Sequence, residues 1–235
     1  MQSKTLLILA NSIKNCERCI AGREVVWNDH GYTFGPWVRP ISDHGEGELS
    51  REEIQRDDRT EVAVLDFADV RLARHAGDPC HPEDWFVHGQ RPWSRPVRYC
   101  KNPPPSALEE RPRDLWLEPG SKSDRASHAF VTAQSPAFSI CVVAATNLRL
   151  VCMAEFNPAE LRTVRKYRAQ FAYNGAEYDL SLTDPAATER YFRGQSANEK
   201  IRTVGLDASL ICVSLTPEFR KTGYHYKVVA TILGK

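Results

Sequence analysis

The chain has 235 residues, of which 42% are hydrophobic and 26% charged, and its formal net charge is +1. This length allows one large domain or two domains of about 100–120 residues each, with a core that needs no metal or disulfide support. Residues 1–110 carry 14 Lys+Arg against 18 Asp+Glu, and residues 111–235 carry 17 against 12. This balance excludes a uniformly basic protein and leaves room for a local basic surface in the second half.

Cysteine usage and hydropathy indicate the compartment. The seven cysteines are an odd number, and Cys141, Cys152 and Cys212 lie inside apolar runs, which favours a reducing cytoplasm over an oxidising compartment. No apolar stretch approaches the roughly 18 residues of a membrane span, and residues 6–10 are too short for a signal peptide. We therefore expect a cytoplasmic location and no membrane partner.

The N-terminal stretch combines an apolar run with turn residues. Residues 5–10 are apolar throughout and predict a central strand that runs into a turn at residues 11–15. Residues 18–27 predict the returning strand, in which Gly22 marks a bulge or a strong bend. A turn at residues 28–31 and strands at residues 37–42 and 60–73 follow.

The middle of the chain is less regular. Ser50 and Glu53 fit a capping box and predict a short helix. Residues 78–98, rich in Pro, Trp and His, predict an irregular segment laid over one domain. Three consecutive prolines favour a linker at residues 100–105, followed by a partly helical stretch at residues 106–116.

The second half consists mainly of predicted strands. Asn174-Gly175 is the strongest hairpin turn of the sequence, and Thr146-Asn147 predicts another. Asp184 as N-cap, with Pro185 in the first helical position, predicts a short helix that ends at Gly194. The predicted strands are residues 129–133, 138–145, 148–156, 163–173, 178–182, 208–215 and 225–233.

About five strands with one short helix before the last pair is the element count of a small β-barrel, and the first half gives a similar count. We therefore predict a mainly β chain of two small barrels in tandem with a few short helices. The first domain comprises residues 1–105, including the Pro/Trp-rich extension, and the second comprises residues 106–235.

The strand–turn–strand at the N-terminus brings amide and cationic donors together. Such a group suits contact with an anion or a nucleic acid, and it equally suits a turn whose side chains bond to the backbone. The candidate contacts are Asn11, Lys14, Arg18 and, farther along, Arg39.

A second candidate surface is the alternating strand at residues 163–173. Arg165, Lys166 and Arg168 are interleaved there with Tyr167 and Phe171, a pattern that can track a phosphate backbone and stack bases. The alternative is an amphipathic strand with its aromatic rings in the core and its cations in water.

The sequence gives little support to a catalytic site or a metal site. Cys16 and Cys19 form a CxxC, but a zinc site needs two further ligands, and no second close pair is evident. An enzyme could be built on Cys19 or on the segment that contains His81, Glu83 and His88. The sequence offers no convincing base or oxyanion donor for either. No phosphate-binding glycine loop occurs. We expect no catalytic residue, no metal and no cofactor.

The sequence "ILANSIKNCERCIAG", followed by "WVRPIS", "HPEDW" and a closing "LICVSLTPEF…YHYKVVATIL", resembles the prokaryotic dual OB domain family over essentially the whole chain. The matching polar positions are Asn11, Lys14, Arg18 and Arg39. The family usually has Gly-Gly where this chain has Cys16-Glu17, which weakens a metal role for the CxxC.

The resemblance implies two OB-like barrels in a non-enzymatic module that binds or senses single-stranded or duplex nucleic acid. Such modules are associated with bacterial defence or conflict systems, as accessory subunits of a partner that carries an ATPase, helicase or nuclease activity. The alternative is a protein-interaction scaffold that docks onto such an ATPase or nuclease without contacting nucleic acid, because an OB-fold does not fix function.

Overall fold

Strands dominate the computed structural model, which describes residues 2–14, 16–29, 31–89, 93–96, 103–134, 138–157, 161–195 and 199–234. Strands contain 57% of the residues and form two closed five-stranded barrels in tandem, with three short helices, so the predicted fold class is confirmed. The chain divides into two units, residues 1–104 with 135–140, and residues 105–134 with 141–235. None of the helices in the described ranges is long and apolar enough to cross a membrane.

The first barrel closes through one parallel and four antiparallel pairings. The neighbours are β1–β2, β2–β3, β3–β5 in parallel, β5–β4 and β4–β1, and Leu6, Ile8 and Trp93 belong to its buried core. The elements are β1 (Gln2–Lys14), β2 (Glu17–Asn28), β3 (Gly31–Ile41), α1 (Arg51–Ile54), β4 (Phe67–His75), β5 (Asp84–Val87) and β6 (Trp93–Ser94), the last paired with β4.

The second barrel repeats this order of pairing, although the sequence shows no repeat. The neighbours are β8–β9, β9–β10, β10–β12 in parallel, β12–β11 and β11–β8, and β7 extends the sheet beyond β12. The elements are β7 (Arg125–Ser127), α2 (His128–Gln134), β8 (Ile140–Asn157), β9 (Arg162–Tyr173), β10 (Ala176–Leu182), α3 (Pro185–Phe192), β11 (Ile201–Leu215) and β12 (Tyr224–Gly234).

Several local predictions are confirmed. Asn174 and Gly175, with φ angles of 47° and 78°, make the tight turn between β9 and β10. Ser50 and Glu53 form the complete capping box of α1. The Asp184 carboxylate accepts from the backbone nitrogen of Ala187 and so caps α3. In each case the signal lies within four residues of chain.

In the first half, two boundaries were predicted wrongly. Residues 11–14 do not form a turn, because β1 continues through Lys14 and pairs Asn11 with Ile20, and residue 15 lies outside the described residues. The strand predicted from residue 60 begins only at Phe67, since Leu65 has a φ angle of 68° and the Asp66 carboxylate accepts from the Ala63 nitrogen at 2.8 Å. In the first case the backbone ladder with β2 overrides the local turn signal, and in the second a local side-chain bond makes a turn where a strand is predicted.

In the second half, residues 129–133 form α2 rather than a strand, and the Phe130 nitrogen donates to the Ser127 hydroxyl at its start. Thr146-Asn147 is a bulge inside the continuous β8, because Asn147 has a φ angle of 54° without reversing the chain. The partly helical stretch is only the 3-10 turn Pro105–Ala107. Residues 100–102 of the predicted linker lie outside the described residues.

Gly22 lies where β1 and β2 approach most closely. The register shifts between Ile8 and Ala10, opposite Gly22 and Ala21. A Cβ atom on Gly22 would lie 2.3 Å from the carbonyl oxygen of Leu7, so only glycine allows this bend of the strand. The predicted bend is confirmed.

We expect Gly22→Ala to lower the free energy of unfolding by about 2–3 kcal/mol, because the backbone of Leu7 must move to admit a methyl group. Urea unfolding followed by tryptophan fluorescence measures this. Gly35→Ala on β3 is the matched control, since its Cβ would meet the side chains of Val26 and Glu24 at 3.1 and 3.3 Å. Equal unfolding midpoints for the two variants would contradict the account.

Candidate functional site

Arg39 on β3 lies inside the first unit. Its side chain is 11% exposed, its Nε donates to Asp84 Oδ1 at 2.6 Å, and its Nη2 lies 3.4 Å from Glu83 Oε1. Burial opposes the charged form, but the two carboxylates outweigh it and raise the pKa of Arg39 above its ordinary value. The predicted nucleic-acid contact of Arg39 remains untested, and its visible role is structural.

The carboxylate of Glu83 has a second buried partner. It accepts from the backbone nitrogen of Ser139 at 3.2 Å and from the Ser139 hydroxyl, and Ser139 is fully buried. The Glu83 carbonyl also accepts from the Arg39 backbone nitrogen at 2.8 Å. These bonds attach residues 138–140 to the first unit.

Asn11 and Lys14 are tied to the segment that follows β3. The Asn11 amide nitrogen donates to the Val62 carbonyl at 2.9 Å. Lys14 Nζ lies 2.8 Å from Glu46 and 3.0 Å from Glu48, and although burial acts in the opposite direction, these carboxylates raise the pKa of Lys14. Two carboxylates around one ammonium leave little attraction for a phosphate.

Arg18 is held more loosely than Lys14 or Arg39. Its Nη2 lies 3.6 Å from Glu61, whose other oxygen lies 2.8 Å from Arg51. Arg18 and Arg51 line a cavity of about 340 Å³. A neighbouring cavity of about 600 Å³ is lined by five acidic residues among others. Its acidic lining residues are Glu17, Asp43, Glu48, Glu52 and Glu53.

The cations of β9 in the second barrel differ in accessibility. Lys166, 58% exposed, is paired with Glu155, and Arg165 Nη2 donates to the Gln195 carbonyl at 2.6 Å. Arg168 is 21% exposed, and its Nε donates to Asp179 at 2.8 Å. From Ala169 onward the strand alternates in burial. This burial matches the alternative reading, an amphipathic strand with outward cations at its start and buried aromatic residues at its end, and phosphate contact by the cations stays a prediction.

The sequence analysis missed an aromatic group on β2 and β3 of the first barrel. Trp27 lies opposite Tyr32 in the ladder, with ring centroids 5.9 Å apart, and Tyr32 contacts Phe34 at 5.6 Å and Phe67 at 5.7 Å. All four side chains are partly exposed. We call Trp27, Tyr32 and Phe34 the aromatic face. Tyr32 and Phe34 occupy alternate positions of β3, after the turn that follows Trp27. The sequence does not predict a strand at residues 31–36, so this alternation of aromatic residues could not be recognised as one strand face.

Arg23 lies on β2 of the same hairpin. It lies opposite Trp37, and its guanidinium carbon is 5.9 Å from the Trp37 ring centroid. Its Nε donates to the Gly35 carbonyl at 2.7 Å. The guanidinium thus lies against the ring of Trp37, which is itself buried.

The cysteine, histidine and acidic residues considered for catalysis or metal binding contact different partners. Cys16 is exposed, and Cys19 is partly buried, which raises the pKa of its thiol. Within the described ranges, neither cysteine belongs to a group of three potential metal ligands. His81 contacts Asp78, whereas Glu83 contacts Arg39 and Ser139.

Lys227 on β12 is the most strongly perturbed amine of the second barrel. It is fully buried, its Nζ has no hydrogen-bond partner among the described residues, and it lies 5.8 Å from the Tyr178 ring centroid. Burial lowers the pKa of Lys227 to about 8, although the carboxylates of Asp114, Asp124 and Glu118 oppose this shift. A perturbed pKa can mark a functional site, but here solvent does not reach the amine.

Comparison with known proteins adds one match. The family model described as Dual OB-containing domain matches residues 4–232 of the chain, which span both barrels. The resemblance to a dual OB family is thereby confirmed. A search of the curated proteins found no match.

We expect Arg39→Ala to lower the free energy of unfolding by about 3–5 kcal/mol, because the change leaves Asp84 and Glu83 as unpaired buried carboxylates. Arg18→Ala is the matched control and should change stability by about 1 kcal/mol or less, since Arg18 makes one loose, partly exposed contact. Urea unfolding measures both. If both variants unfold at the same urea concentration, the structural role of Arg39 is wrong.

Lys227→Met should stabilise the protein by about 2–3 kcal/mol near pH 7. The folded pKa of about 8 lies below the ordinary 10.5, so between these values the unfolded state binds more protons and wild-type stability rises with pH. The advantage of the variant should therefore disappear towards about pH 10. Thermal unfolding followed by near-UV circular dichroism checks this. A variant less stable than wild type at neutral pH would contradict it.

Proposed function

Since the chain belongs to the family of dual OB-containing domains, we propose that it binds single-stranded nucleic acid. The dual OB domain is a fold of nucleic-acid-binding type. OB barrels generally bind oligonucleotides on the face formed by their second and third strands and on the adjoining loops. In the first barrel those strands are β2 and β3.

The observation that carries the proposal is the aromatic face. Trp27, Tyr32 and Phe34 are partly exposed and lie on β2 and β3, which is where an OB-fold presents stacking residues. Unpaired bases stack on such rings at about 1–3 kcal/mol per base, with little dependence on sequence. Rings stack on splayed-out bases and not on a closed duplex, so the face favours a single strand.

Exposed cations of the second barrel provide proposed phosphate contacts. Arg165 and Lys166 lie on β9, which corresponds to β2 in the order of pairing. Their present partners are the Gln195 carbonyl and the exposed carboxylate of Glu155, which a phosphate can replace. With so few accessible cations and a net charge of +1, affinity should depend less on salt than that of strongly basic proteins.

The proposed wider role is that of a non-enzymatic accessory subunit in the cytoplasm. It would supply nucleic-acid recognition or sensing to a partner with ATPase, helicase or nuclease activity, in a bacterial defence system. The support for this part is the family resemblance alone. Co-purification of the tagged chain with proteins encoded by neighbouring genes would test it.

A second candidate function is a protein-interaction scaffold, and one observation favours it. The cavity of about 600 Å³ is lined by five carboxylates, with no lysine or arginine among those lining residues that the structure describes. Such a surface repels phosphate and suits a basic segment of a partner protein. The two functions differ in whether the purified chain binds nucleic acid by itself.

Trp27→Ala combined with Tyr32→Ala should weaken binding of a fluorescein-labelled oligothymidine or oligouridine by roughly 30-fold or more, because each lost stack costs about 1–3 kcal/mol. Fluorescence anisotropy at about 50 mM salt measures the affinity. Tyr191→Ala on α3 is the control, because Tyr191 is partly exposed outside both strand faces, and its affinity should stay unchanged.

Two outcomes of the same titration would contradict the proposal. If the double variant binds as tightly as wild type, the aromatic face is not the binding surface. If the wild type binds neither oligonucleotide at this salt concentration, nucleic-acid binding by the chain alone is refuted and the scaffold function is favoured.

A further inference from the structure

Two histidines that lie 97 residues apart in the sequence meet in the second barrel. His128 is the first residue of α2, directly after β7, and His225 is the second residue of β12. The pairing of β7 with β12 sets Ser127 opposite Tyr224, and the His128 nitrogen donates to the Gly223 carbonyl at 2.9 Å. The main chain therefore brings the two imidazoles together.

The rings face each other through nitrogen atoms. His128 Nδ1 lies 3.0 Å from His225 Nε2, and the ring planes differ by 19°. His225 Nδ1 lies 2.8 Å from the Thr216 carbonyl. Since a carbonyl only accepts, Nδ1 of His225 carries the proton, and the neutral ring presents the Nε2 lone pair to His128.

This arrangement has the outer-shell bond typical of a metal-binding histidine. Such a residue usually donates its second ring N–H to a carbonyl or carboxylate, which fixes the tautomer and the orientation of the ring. His225, 1% exposed, has that bond to Thr216. The hydroxyl of Thr132, 3.3 Å from His128 Nε2, can accept a hydrogen bond from the other ring.

A carboxylate lies next to His128. Glu218 Oε2 is 3.8 Å from His128 Nδ1, and its side chain is 35% exposed. The following residue belongs to a turn, where the Phe219 nitrogen donates to the Tyr224 carbonyl at 2.9 Å. Two imidazole nitrogens and one carboxylate oxygen form a donor set that zinc accepts in proteins.

We propose that His128 Nδ1, His225 Nε2 and the Glu218 carboxylate bind a divalent first-row metal ion of the Zn²⁺ type. Bonds of about 2.0–2.1 Å in a tetrahedron separate two ligand nitrogens by about 3.3 Å, so the imidazoles need to part by only a few tenths of an ångström. The proton on His128 moves from Nδ1 to Nε2, and the Nε2–H group then donates a hydrogen bond to the Thr132 hydroxyl. No proton is lost, and a fourth ligand position remains for water.

Zinc titration of the full chain, after chelator treatment and with Cys16→Ser in every protein, tests this site. Cys16→Ser removes binding by the CxxC. Isothermal calorimetry should show one zinc ion per chain, and His128→Gln or His225→Gln should weaken its binding by about 100-fold or more. Glu218→Gln should weaken it by about 10-fold. His44→Gln is the control, since the side chain of His44 is 87% exposed on the first barrel.

Thermal unfolding supplies a second readout. Zinc should raise the melting temperature of the parent protein and of His44→Gln, but not of His225→Gln, because a metal that binds only the folded state stabilises it. His128 is 48% exposed, so His128→Gln keeps the test valid if His225→Gln does not fold. Absence of zinc binding by the parent, or equal affinity in His128→Gln, would overturn the site and leave a hydrogen-bonded histidine pair only.

Discussion

The buried guanidinium of Arg39 is the constraint on which the first barrel depends. The barrel closes where β3 runs parallel to β5, and β5 has only four residues, so the backbone ladder there is short. Arg39 lies opposite Asp84 in that pairing and bonds to it, while Glu83 joins Arg39 to Ser139. Buried charges cost several kcal/mol each to desolvate, and this cost is offset only when each has close partners. The closure is therefore specific: the correct strand alignment satisfies all these groups, and a shifted one would leave a buried charge unpaired.

The second barrel closes its parallel pair with a different buried group, the carboxylate of Asp184. It follows β10, caps α3 through the Ala187 nitrogen and accepts from the Ile232 nitrogen of β12 at 2.9 Å. In both barrels, then, a buried polar side chain fastens the third strand to the fifth. The polar positions predicted as ligand contacts therefore have structural roles: Asn11, Lys14 and Arg39 hold segments of the chain together. The features expected of a binding surface lie instead on the partly exposed aromatic face.

Local chemistry made part of this molecule predictable. The alternation along β9, the Asn174-Gly175 turn and the bend at Gly22 depend on residues near in sequence. The same logic failed at Thr146-Asn147, because a bulge and a hairpin both use a residue with positive φ and only the distant partner strand decides between them. Local sequence patterns also failed to predict the contacts of Lys14 and the histidine pair, for a related reason. The carboxylates that form ion pairs with Lys14 come about 30 residues later in the sequence. His128 contacts His225 only because β7 pairs with β12, so neither contact can be recognised from neighbouring residues.

We propose that a single strand of nucleic acid lies on the aromatic face of the first barrel. Ultraviolet crosslinking of the full chain to an oligothymidine, followed by mass spectrometry of the peptides, tests this most directly, because a base stacked on a ring is positioned to react with it. We expect crosslinks at Trp27, Tyr32 or Phe34 that an excess of unlabelled oligothymidine removes. Crosslinks confined to the segment around Lys14 and Arg18, or none above a non-binding control protein, would contradict it.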